Sequence, residues 1–182
     1  MGTGILILTI VHVAISLIGI GSGFVMIYGF VTNKRFDQST TIFLATTILT
    51  SLTGFLFPIE KFTPGLAIGV LSLIALGVAV WALYRKHLAG GWRTAFVIAA
   101  MISQYFNFAI LIIQSFQKVP PLHDLAPTQS EPPFAVTQLT VLVLFIALTV
   151  AAIIRFRPAT APVSQGERKT FATSEATLPV LK

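Results

Sequence analysis

The chain has 182 residues, of which 55% are hydrophobic and only 10% charged, and its mean hydropathy is +0.88. Soluble domains carry about a quarter charged residues, so the composition excludes an ordinary water-soluble fold and marks a membrane protein. The absence of cysteine excludes disulfides, thiolate catalysis, Fe–S clusters, thiolate zinc sites and thioether-linked haem. The net charge of +6 is accounted for by membrane topology, as the placement of the charges shows, and calls for no nucleic-acid partner.

Five apolar spans are expected, giving an all-α, polytopic transmembrane bundle of five transmembrane helices over residues 1–157. The first covers about 4–31. It lacks Lys and Arg at its start and is too long for a signal-peptide core, so it reads as a retained span. The second, about 39–57, is weak because it is rich in threonine, and Pro58, Glu60 and Lys61 follow it. The third covers about 64–84 and ends at Arg85, Lys86 and His87; the fourth about 93–117; the fifth about 134–154, ending at Arg155 and Arg157. Each is near the roughly 20 residues that crossing a bilayer needs. Between the fourth and fifth lies KVPPLHDLAPTQSEPP, whose five prolines predict an extended or turn-rich loop. The tail, 158–182, has no apolar periodicity and is expected to be disordered and cytoplasmic.

Orientation follows from the twelve Lys and Arg residues. With five spans, one face holds two of them, Lys61 and Lys118. The other holds the remaining ten: Lys34, Arg35, Arg85, Lys86, Arg93 and those from Arg155 onward. The positive-inside rule puts the ten in the cytoplasm, with the N-terminus and the proline-rich loop outside.

The fourth span carries Ser103, Gln104, Asn107, Gln114 and Gln117 within an arc of about 140° on a helical wheel. Amides are costly in lipid, so this arc should face other helices or a wet cavity. On the first span Thr9, His12, Ser16, Gly19 and Gly23 share an arc of about 80°. Gly19 and Gly23 form a small-xxx-small pair suited to close helix packing. His12 is the only strongly titratable residue well inside a span. It reads either as an imidazole hydrogen-bonded across a packing face or as a ligand, cofactor or proton site. From span ends and helical rise, His12 lies about 12 Å below the outer end. Thr50, Ser51, Thr53, Ser72, Asn107, Gln114 and Gln138 lie at similar or shallower depth, and His123, Asp124 and Glu131 sit in the loop above.

These residues suggest an outward-facing polar pocket under the 118–133 loop, lined by His12, Ser16, Asn107, Gln114 and Gln138 with His123 above. It would bind a small molecule, a lipid or a membrane-protein partner. The alternative is a redox component handling quinone or haem, with His12 binding the cofactor or shuttling a proton. No histidine spacing marks a metal site, no catalytic residue can be assigned, and the cofactor is open. No Lys, Asp or Glu lies inside a span, which excludes a retinal-type Schiff base and argues against a carboxylate proton relay. Nucleotide loops, a Ser–His–Asp set and paired catalytic carboxylates are not visible.

Phe116-Gln117-Lys118-Val119-Pro120 and Leu125-Ala126-Pro127-Thr128-Gln129-Ser130-Glu131-Pro132-Pro133-Phe134 resemble the loop and flanks of a family of small bacterial integral inner-membrane proteins. The likeness to this LAPTQSEPPF-type loop implies a bacterial plasma membrane and no particular activity. No functional residue is carried over from it.

Overall fold

A computed structural model describes residues 2–57 and 64–157. The residues around Glu60 and Lys61, and the tail expected to be disordered, lie outside them. Among the described residues the chain is all helix and loop, with no strand. The helices are α1 (Thr3–Thr32), α2 (Asp37–Gly54), α3 (Pro64–Val80), α4 (Trp92–Lys118), α5 (Pro120–Leu125) and α6 (Pro132–Arg155). The last turn of α3 widens into a π-helical turn, Trp81–Arg85.

Among the described residues four helices are long and apolar enough to cross a membrane: α1, α3 with its π turn, α4 and α6. The second of the five expected spans does not meet these criteria of length and hydropathy. The exception is α2, which has 18 residues and starts two residues earlier than expected, taking in Asp37 and Gln38. Eight of its residues between Ser39 and Thr53 carry hydroxyls, which holds its hydropathy below that of its neighbours. The outward faces of the long helices are apolar, with Leu6, Ile10, Leu17, Ile74, Leu139 and Ile146 all more than half exposed. Such surface is stable against lipid and not against water. The molecule therefore fits a multi-pass membrane protein.

α4 is the central helix. Half of its most apolar window is buried by neighbours, against 22% for α3 and 11% each for α1 and α6. Its Phe96, Val97 and Met101 pack with Met26, Phe43 and Leu76 from α1, α2 and α3. Phe145 brings α6 onto the other side, with Tyr105 at 5.7 Å.

The ends are fixed by local chemistry. α1 stops at Asn33, in the left-handed region (φ 55°, ψ 38°), with its N–H directed at the carbonyls of Gly29 and Phe30. Asparagine tolerates that conformation. The chain then folds back so closely that a Cβ on Gly29 would lie 2.7 Å from the Lys34 carbonyl oxygen, which no side chain permits. The loop after α4, expected to be extended or turn-rich, contains the short helix α5. Pro120 and Pro121 occupy its first turn, where a helix has no use for their missing N–H groups. Pro132 and Pro133 start α6 in the same way.

Candidate functional site

α1 and α2 run antiparallel and are joined by successive polar layers. Gly19 lies against the hydroxyls of Thr46 and Thr47, close enough that a Cβ would be 3.1 and 3.3 Å from them. One turn on, the Ser16 hydroxyl donates to the His12 carbonyl at 2.7 Å and lies 3.4 Å from Thr50 Oγ1. One further turn on, His12 Nδ1 is 2.8 Å from Thr53 Oγ1. The period of the layers is the helical turn, which brings residues three to four apart onto one face.

The last layer fixes the state of the histidine. The Thr53 hydroxyl donates its single hydrogen to the Leu49 carbonyl at 2.8 Å, with a longer branch to the Thr50 carbonyl. Its oxygen must therefore accept from His12 Nδ1–H. The neutral ring then carries its proton on Nδ1 and a lone pair on Nε2, a tautomer assigned from the network. Nε2 has no hydrogen-bond partner among the described residues. The ring is half-buried and lies edge-on to Phe57 at 5.3 Å.

The amides of α4 go elsewhere. Gln104 is fully buried and donates to the Ile20 carbonyl of α1 at 2.9 Å. It occupies the notch left by Gly23, where a Cβ would be 2.2 Å from Gln104 Oε1. Asn107 donates to Thr47 of α2 at 3.0 Å. Gln138 of α6 donates to the Ala109 carbonyl of α4 at 3.2 Å. Gln114 and His123 are exposed. The structure thus brings His12 and Ser16 of α1 together against α2, and Asn107 of α4 meets the same helix about two turns away, at Thr47. Gln138 pairs with α4 by itself. Thr53 and Gln104 carry much of this network. The first shared the estimated depth of His12, and the second was legible as part of the polar arc of the fourth span, though not its seat against Gly23.

The 118–133 loop is fastened to the end of α4. Gln129, held at φ +59°, donates its amide to the Ile113 carbonyl at 2.9 Å, and Gln117 reaches Gln129 Oε1 at 3.4 Å. Ala126 is completely buried against Ile112 and Phe116. Glu131 precedes α6, and its carboxylate accepts from the backbone N–H groups of Thr128 (3.1 Å) and Ser130 (3.0 Å) and from the Thr128 hydroxyl (2.9 Å). Slight desolvation acts to raise the Glu131 pKa, but these hydrogen bonds outweigh it and hold the carboxyl below its ordinary value.

Two cavities lie away from this network. An apolar groove of about 220 Å³ runs between α4 and α6 beside Tyr105 and Thr149. A cleft of about 10 Å³ sits at the other end of the bundle, beside Lys34 and Phe156. No group of three or more potential metal ligands occurs among the described residues. Comparison with family models, with curated proteins and with solved structures returns no match.

Proposed function

We propose that the chain is a five-span protein of a bacterial plasma membrane, N-terminus outside, which binds a small molecule or lipid at its outer end through the His12 ring. The carrying observation is the His12 Nδ1–Thr53 hydrogen bond, from which the tautomer is assigned. Thr53 accepts the hydrogen bond from Nδ1–H, which leaves Nε2 as an acceptor without a partner among the described residues. A buried or lipid-facing acceptor left unpaired costs free energy that a hydroxyl or amine donor on a ligand would recover. The five-span reading is supported by chain direction. α1 and α3 both run toward the cationic end, so α2, antiparallel to α1, returns the chain between them. The likeness of the Leu125–Phe134 segment to the LAPTQSEPPF-type loop supports the bacterial membrane assignment.

The test is native mass spectrometry of the protein released from membranes in mild detergent. A specific adduct should be present on the wild type and absent from His12→Ala, with folding retained in both. Identical adduct profiles would overturn the reading. A Soret band in the purified protein's visible spectrum, lost in His12→Ala, would instead assign the Nε2 lone pair to haem iron.

A further inference from the structure

The end of the bundle opposite His12 carries a charge pattern that the proposed ligand site does not use. Five polypeptide segments meet there. Asn33 at the end of α1 accepts from the Arg157 backbone N–H at 2.7 Å. Arg93 at the start of α4 donates to the Ile153 carbonyl of α6 at 3.0 Å and also to that of Phe156. Thr41 of α2 bonds Tyr84 at the end of α3 at 3.2 Å. These contacts close a ring that gathers seven cations: Lys34, Arg35, Arg85, Lys86, Arg93, Arg155 and Arg157. Among the described residues the only carboxylate at this end is Asp37, and it pairs with Arg35 at 2.9 Å. The opposite end has Lys118 against Asp124 and Glu131.

Several of these cations already have partners. Arg93 is spent on the last carbonyls of α6, and Arg85 and Lys86 lie over the rings of Trp81 and Trp92, each at 5.6 Å. Lys34, Arg155 and Arg157 have no ion pair among the described residues. Lys34 and Arg157 are 123 positions apart in the chain, and the Asn33–Arg157 bond puts their backbones side by side. Beside Lys34 opens the small cleft, lined also by the Arg35–Asp37 pair and by Phe36, Leu88 and Phe156. At about 10 Å³ the cleft holds no more than one water, so an anion would sit on its rim.

We infer that Lys34 and Arg157 form a docking site for the phosphate of an anionic phospholipid in the leaflet on that side. Charge complementarity selects the occupant: clustered cations without matching carboxylates repel one another, and a phosphate diester removes the repulsion. The exposed Tyr28 of α1 and Ile154 of α6, toward the membrane from the two cations, suit the upper acyl carbons that follow a headgroup into the bilayer, from which a soluble anion would gain nothing. This inference does not depend on the His12 reading.

The experiment uses the full chain in nanodiscs of phosphatidylcholine with and without a minor fraction of phosphatidylglycerol, read by thermal unfolding and by lipid retained on transfer to detergent. The wild type should be stabilised by phosphatidylglycerol and retain it. The Lys34→Gln/Arg157→Gln variant should retain about thirtyfold less, each lost cation removing the attraction of one juxtamembrane basic residue. Lys118→Gln, at the other end, should behave as the wild type. Equal stabilisation of wild type and double variant would overturn the site. Displacement of the lipid by millimolar inorganic phosphate would overturn the lipid as its occupant. If the double variant folds poorly, single Arg157→Lys should keep retention and single Arg157→Gln should reduce it; equal retention by the two would also overturn the site.

Discussion

His12 and Gly23 show how differently two positions on one helix face are constrained. His12 contributes one interhelical hydrogen bond, to Thr53. Such bonds inside membranes average about 0.6 kcal/mol. His12→Ala should therefore lower the stability of the detergent-solubilised protein by about that amount and leave the fold intact. Gly23 is the less replaceable residue. A Cβ there would overlap the Gln104 amide at 2.2 to 2.8 Å. The amide is the far end of a flexible side chain, but it is fully buried and tied to Ile20. Gly23→Ala should cost about 1–3 kcal/mol, the usual range for overpacking. Gln104→Ala in the same chain should recover most of that loss, a coupling measurable as a double-mutant cycle. Additive losses would show that Gln104 does not fill the notch. The face itself was legible from the sequence, because helical period alone aligns His12, Ser16, Gly19 and Gly23. Their partners were not. Period and depth say nothing of lateral position, so nothing in the sequence placed α2, rather than α4, against the histidine.

At the scale of elements, the Leu125–Phe134 segment is an anchor more than a lid. Ala126 is buried, Gln129 holds the end of α4, Glu131 gathers the turn, and Phe134 stacks edge-on with Phe116 at 5.4 Å. The prolines were correctly visible as breaks in helical hydrogen bonding. What composition concealed is that two of them in succession, at a first turn, start a helix instead of preventing one. The Glu131 carboxyl sits below its ordinary value of 4.5. A depressed folded-state value means that the ionised form contributes stability above the ordinary value, and that this contribution is lost as pH falls through the lowered one. Hydrogen exchange at the Thr128 and Ser130 amides, corrected for intrinsic rate, should be slowed near neutral pH and lose that protection as pH falls through the lowered value. In Glu131→Gln the protection should be weak throughout and should not vary with pH. Protection unchanged by the substitution would show that the turn is held by other contacts.

At the scale of the whole molecule, the position of α2 decides the topology. Taken alone it is a poor span: 18 residues at about 1.5 Å each reach roughly 27 Å, just under the hydrocarbon thickness, and its hydroxyls lower its hydropathy. Two features reduce that cost. Thr46 and Thr53 return their hydroxyl hydrogens to the Ile42 and Leu49 carbonyls, so neither donor is left bare in lipid. Thr47 is fully buried and receives the Asn107 amide. α2 should therefore cross only in the company of α1 and α4, whose faces satisfy it. Reporter fusions after Asn33, near Lys61, near Gly90, near Thr128 and after Arg157 should alternate inside, outside, inside, outside, inside. Replacing Asn107 with Leu and Gly19 with Leu in the same chain should shift the Lys61 fusion partly to the inside while leaving the Thr128 and Arg157 fusions as they were. If the Lys61 fusion in the unmodified chain reports the same side as the Asn33 fusion, α2 does not cross. The chain would then have four spans, and the separation of two Lys and Arg residues from ten would no longer follow from the positive-inside rule.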